Sequence, residues 1–150
     1  MNRDAIDVLN LLHECSSALL GPQQTVKEAL QSVLKLLARH AGLRHGSIAL
    51  YRPDTEELVV TAAHGLSQAQ RARARYRLGE GVTGRVAAEK RSVAVPDIAR
   101  DPEFLDRTGA SRESGPLGVS FFCVPILYRS ELLGTLSVDR ALDSTISLEE

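Results

Sequence analysis

The residues of most specific chemistry in this 150-residue sequence are four histidines, two cysteines and a glycine-rich loop. A zinc site needs four nitrogen or sulfur ligands at workable spacing. His13 and Cys15 stand two apart on a helical stretch and so do not share a face, and His40, His45 and His64 show no paired spacing. The histidines therefore read as structural or solvated. Cys15 and Cys123 lie more than a hundred residues apart; with no secretory signal they read as reduced thiols packed as small hydrophobes. Cys123 falls in an apolar run with no base beside it in sequence, where a thiol is normally inert. A small thiol oxidoreductase centred on Cys123 is the contrasting enzymatic reading.

Gly79-Glu80-Gly81-Val82-Thr83-Gly84 lacks the Gly-Lys-Ser/Thr ending of a P-loop. No parallel strand–helix–strand unit frames it as a dinucleotide fingerprint either. It reads as a sharp turn presenting backbone N–H groups at a helix start, which suits an anionic group, or as an ordinary helix-entry turn. Basic residues gather around it: Arg71, Arg73, Arg75, Arg77, Arg85, Lys90 and Arg91 face only two acids, Glu80 and Glu89, between residues 71 and 91. On a helix Arg71 and Arg75 share one face and Arg73 and Arg77 another, the pattern of a solvated helix. An anion-attracting pocket rim and a nucleic-acid contact are the two other readings. Residues 139–150 run the other way, with Asp139, Asp143, Glu149 and Glu150 against Arg140.

The elements that must carry these residues follow from periodicity. Ala5, Val8, Leu12, Cys15 and Leu19 recur at alternating spacings of three and four, an a/d seam. That seam serves either a dimer interface or packing on the chain's own sheet. Gly21-Pro22 stops the helix, and Thr25 with Glu28 forms a capping box for a second one reaching about His40. Residues 46–51 and 57–63 read as an antiparallel hairpin around Arg52-Pro53-Asp54-Thr55-Glu56. The stretch 67–75 reads as helix, and the glycine loop feeds a short helix through Val86, Ala87 and Ala88. A brief strand spans 92–95, and a long polar loop runs from Asp97 to Gly118. Two strong strands, 120–127 and 131–139, close the sheet, and their apolar runs imply that both sheet faces are covered. The order is α+β, around an antiparallel sheet.

Composition limits the function classes. An apolar share of 43% and a charged share of 25% are ordinary for one soluble globular domain of this length. A formal net charge of −1 argues against a protein built to coat nucleic acid or an anionic membrane. Aromatic residues make up only 4%, with no Trp, which removes the usual stacking platform for single strands. No apolar run is long enough to span a bilayer, and the first residues form no signal peptide. A cytoplasmic location is expected.

With the elements placed, several stretches resemble GAF domains: the two leading helices, Gly79 to Gly84 before a short helix, Val95-Pro96-Asp97, Val124-Pro125-Ile126 and Leu133-Gly134-Thr135-Leu136. Within that family, Tyr76 to Gly84, Asp101 to Ala110 and Phe122 to Ile126 resemble the N-terminal sensory domains of Nif-specific, sigma-54-dependent activators of the NifA type. The resemblance implies a GAF-like antiparallel sheet with N-terminal helices on one face and short helices and loops forming a ligand pocket on the other. It implies one regulatory domain over residues 1–150, with AAA+ and DNA-binding domains elsewhere. Thr145 to Glu150 reads as the cap and first turn of a truncated terminal helix. The resemblance further implies a non-enzymatic module, without metal or resident cofactor, that binds a small anionic effector such as 2-oxoglutarate. Candidate partners are an anti-activator, a PII-type protein, and a second copy of the chain through the N-terminal helix. Arg77 and Arg85 are the candidate charge partners, assisted by Thr83 and Gly84, with Tyr51 and Phe122 as further lining residues.

Overall fold

The leading apolar stripes form α1 (Arg3–Leu20) and α2 (Val26–Ala41). They open a computed structural model that describes residues 3–22, 25–105, 107 and 118–141. At the start of α2, Thr25 Oγ1 accepts from the Glu28 N–H at 3.2 Å, while the Glu28 carboxylate accepts from the Thr25 N–H at 3.1 Å. This reciprocal cap satisfies two donors that a helix start otherwise leaves unpaired. Gly42 ends α2 in the left-handed region, at φ 63°, the usual glycine stop.

The remaining elements are β1 (His45–Arg52), β2 (Glu57–His64), α3 (Gln68–Arg73), β3 (Arg75–Arg77), α4 (Gly81–Glu89), β4 (Val93–Val95), a 3-10 turn (Ile98–Arg100), β5 (Val119–Tyr128) and β6 (Glu131–Ala141). The strands make one six-stranded antiparallel sheet in the order β3-β2-β1-β6-β5-β4. The first hairpin and the last one, β5–β6, are thus joined through β1 and β6 at the sheet centre. This is the α+β arrangement that the order of periodicities implied.

Each sheet face has its own core. On one face Leu34 of α2 packs on Ile48 and Ala62, with Leu30, Leu50, Ile126 and Leu136 around them. On the other, Val82 and Val86 of α4 pack on Val95, Phe121 and Cys123, with Val93, Ile98 and Phe104 at the margin. Strand alternation produces this division, because residues i and i+2 share a face. β3 pairs only with residues 57–59 of β2, so the rest of that edge needs other partners. Gln31 supplies them to Ala63, donating to its carbonyl at 2.6 Å and accepting from its N–H at 3.2 Å, and Arg71 donates to the Thr61 carbonyl at 3.2 Å.

Three expectations need correction. The arginine series does not lie on one helix: α3 ends at Arg73, and Arg75 and Arg77 belong to β3. Pairing with the β2 edge overrides the local helical pattern. The glycine loop is not a lead-in to the short helix but contains its first turn, since α4 begins at Gly81. Finally, the last two strands are not fully covered on both faces by described residues. Phe122 is 52% exposed and Leu133 47%, because α2 packs mainly over β1 and β2 and leaves these parts of β5 and β6 open. The reading of residues 145–150 as a helix start, and most of the loop after Arg107, fall outside the described residues.

Candidate functional site

The α4 face of the sheet encloses a cavity of about 60 Å³. Its floor comes from β1 and β6, which pair His45 with Asp139, Ser47 with Ser137 and Ala49 with Thr135. Because side chains alternate, His45-x-Ser47 and Ser137-x-Asp139 present a polar patch on a sheet whose neighbouring positions are apolar. Thr83 and Val82 of α4 form part of the wall, together with Val60, Leu66, Ala74 and Tyr76. Phe104 and Leu105 close the remaining side, with Phe104 edge-on to Phe121 at 4.9 Å between ring centroids.

The segment bearing Phe104 and Leu105 is pinned at both ends. Glu103 forms an ion pair with Arg85 of α4. Arg107 pairs with Glu80, donates to the Arg75 carbonyl at 2.6 Å and stacks 5.3 Å from the Tyr76 ring centroid. The Arg77 N–H donates to Glu80 at 2.9 Å. That bond, with Arg107 assisting, holds the Glu80 carboxyl below its usual range. Two glycines make this close packing feasible. Gly81 has φ 62°, and a Cβ there would stand 2.9 Å from Leu105; a Cβ on Gly84 would strike the Arg77 carbonyl.

At the polar end, His45 Nδ1 lies 2.9 and 2.8 Å from the two carboxylate oxygens of Asp139, whose Oδ1 also accepts from the His45 N–H at 3.0 Å. The His45 and Asp139 side chains are only 14% and 9% exposed. Behind the floor, Ser137 Oγ donates to Cys123 Sγ at 3.3 Å. Burial raises the Cys123 thiol above its ordinary range, opposed only in part by the hydroxyls of Ser137 and Thr83. Such a thiol stays protonated and unreactive. Among the described residues no group of three or more His, Cys, Asp or Glu side chains is arranged to hold a metal ion.

The residues singled out from sequence disperse around this cavity. Thr83 lines it. Gly84 backs onto Arg77 and Gly79 as a packing glycine. Arg77 lies exposed on β3, and Arg85 is engaged with Glu103. Tyr51 packs with Ala49, Leu58 and Ala87 farther along the same face. Phe122 points to the opposite face from Phe121 and Cys123, as alternation requires. Missed were His45, Ser47, Ser137 and Asp139. Their signal was present as two polar-x-polar pairs inside strands, but only the β1–β6 register reveals that they meet. Asp139 counts in sequence as part of an acidic tail, whereas it is a nearly buried sheet residue.

A family model described as GAF domain matches residues 25–149. The nitrogen fixation protein VnfA of Azotobacter vinelandii is 37% identical over 139 residues, covering 92% of this chain and 26% of that protein. A Nif-specific regulatory protein of Herbaspirillum seropedicae is 35% identical over 124 residues, covering 83% and 23%. The chain thus spans about a quarter of the length of these curated relatives. Among solved structures, the A. aeolicus nlh2 GAF domain in an inactive state superposes with TM-score 0.83 at 23% identity, over 94% of this chain and 83% of that one. A free methionine-R-sulfoxide reductase of Neisseria meningitidis superposes with TM-score 0.71 at 21% identity, over 93% and 75%. These two likenesses concern the fold alone.

Proposed function

The chain belongs to the GAF domain family, and from that premise we propose that it is the sensory module of a Nif-specific, sigma-54-dependent transcriptional activator. Its relatives are named as regulatory and nitrogen fixation proteins, and it aligns with a quarter of their length. In this reading the module controls an attached AAA+ domain, and DNA binding and ATP hydrolysis belong to other parts of the protein. The observation that carries the reading is a cavity with a polar end, flanked by a segment held through two ion pairs. A ligand larger than this cavity would displace or rearrange that segment. The module thereby acquires two states, and a ligand that prefers one shifts their populations.

The effector that the resemblance points to is 2-oxoglutarate. In that version Arg77 or Arg85 would leave its present position to meet the ligand, with Thr83 and Gly84 assisting. Calorimetry of the 150-residue chain with 2-oxoglutarate, repeated with Arg77→Ala and Arg85→Ala, tests it. Absence of heat at millimolar ligand would remove 2-oxoglutarate as the effector. A protein-mediated version, with an anti-activator or PII-type protein docking near the exposed Arg71–Arg77 segment, is tested by pull-down with that segment reversed in charge. The module is also proposed to act as a homodimer through α1. An enzymatic role through Cys123 is disfavoured by the buried, protonated thiol. Retained effector response in a folded Cys123→Ala variant would exclude it from the mechanism.

A further inference from the structure

Of the charged and titratable groups of this chain, only His45, Asp139 and the Tyr76 phenol are among the described residues lining the cavity; no Lys or Arg lines it. An ionised carboxylate only accepts, so the close approach of Asp139 to His45 Nδ1 makes that nitrogen the donor. Asp139 spends its carboxylate on the ring and backbone N–H of His45 and acts as the holder of the imidazole. The nitrogen left for a ligand is Nε2, which accepts when the ring is neutral and donates when the ring takes a second proton. Ser47, one row along the floor, adds a hydroxyl donor, whereas the Ser137 hydroxyl is given to Cys123 Sγ.

Charge and size narrow what this end can take. The described lining pairs one acid, Asp139, with one base, His45. A monoanion that enters with one proton adds no net charge to this pair. A dianion would bring a further charge with no Lys or Arg among the described lining residues to meet it, which is costly. An engineered apolar cavity of about 150 Å³ holds a benzene ring, so about 60 Å³ admits only a few heavy atoms while Phe104 and Leu105 stay in place. We propose that His45, positioned by Asp139, recognises the carboxylate of a short-chain monocarboxylic acid whose alkyl end lies against Val82, Phe104 and Phe121. The proposal rests on the reading of this chain as a ligand-responsive module and names the chemistry of the ligand.

Propionate is the probe, with propionamide as its neutral isostere and 2-oxoglutarate as the dianion. Calorimetry of the intact 150-residue chain at pH 8, in two buffers of different ionisation heat, is expected to show millimolar-range propionate binding with uptake of one proton. Propionamide is expected to bind at least tenfold more weakly, and His45→Gln to weaken propionate at least tenfold. ¹⁵N spectra of the unmodified chain should show His45 Nε2 passing from unprotonated to protonated as propionate is added, a readout that survives any instability of the variant. Asp139→Asn should alter the tautomer that His45 adopts without ligand, which a purely scaffolding carboxylate would not do. Equal binding of propionamide, binding without proton uptake, or an unchanged affinity in folded His45→Gln would overturn the proposal. If 2-oxoglutarate or propionamide binds and propionate does not, this inference fails while the module remains a ligand sensor. If none of the three binds, both fail for these ligands.

Discussion

Around Cys123 a thiol, three hydroxyls and an apolar core share a small volume, and each group there has a measurable consequence. Cys123 is fully buried and its thiol is raised by burial, whereas Cys15 is only partly covered. Iodoacetamide should therefore spare Cys123 in the native chain and reach it only after denaturation, as read by mass spectrometry. Thr135 is likewise fully buried, and its Oγ1 has no hydrogen-bond partner among the described residues. Replacing a buried, unsatisfied hydroxyl by a methyl of the same shape removes a desolvation cost. Thr135→Val should thus stabilise the chain by about 1 kcal/mol in urea unfolding. Glu80 carries the pH dependence of the closing segment. Its folded-state carboxyl is lowered, first by the Arg77 N–H and then by Arg107, so its contribution is present above the unfolded value of about 4.3 and fades as pH falls through the folded one. Glu80→Gln should cost no more than about 1 kcal/mol at pH 7, as expected for a partly exposed pair. The difference from the unmodified chain should vanish towards pH 3.

Among the elements, α2 and the closing segment differ in how far local sequence dictates them. The Thr25–Glu28 box and the Val26–Leu30–Val33–Leu37 stripe are local signals, readable residue by residue, and α2 (Val26–Ala41) forms where they say. Leu34, 1% exposed, is the center of its contact with the sheet, so Leu34→Ala should cost about 3 kcal/mol by urea denaturation. β3 carried no such signal. Its three residues, Arg75–Arg77, continue an Arg-rich helical pattern, and only the unpaired β2 edge turns them into a strand. Glu103, Phe104, Leu105 and Arg107 were legible as part of a long polar loop, functional or mobile in type, but not as a cavity wall. Their place depends on two ion pairs across 18 and 27 residues of chain. Phe104→Ala removes the ring set against Phe121 and should cost about 2 kcal/mol, less than full burial would imply. Amide exchange should accelerate at residues 103–107 while α2 is unaffected.

For the molecule as a whole, α1 is the element whose sequence and surroundings disagree. Its heptad positions Val8, Leu12 and Leu19 are 56%, 57% and 52% exposed, although α1 packs against α2. A second copy packed through this seam would cover them, and in a parallel, in-register pair Cys15 would face its counterpart. Light scattering at micromolar concentration should then give a dimer, and Leu12→Glu a monomer. Mild oxidation should crosslink the chain through Cys15, with Cys15→Ser abolishing the product and Cys123→Ser retaining it; a monomeric unmodified chain would refute the seam. Sequence by itself determined the helices, the two hairpins and the α+β order, because these follow from periodicity, caps and turns acting over short stretches of chain, and its motifs carried the resemblance to the family. The tertiary structure alone decided which side chains share the cavity. Thr83 is there, while Arg85 is held by Glu103 and Phe122 faces away. His45 and Asp139 meet across 94 residues, through a register between β1 and β6 that neither strand encodes separately, since strand pairing fixes neighbours only when the whole sheet closes.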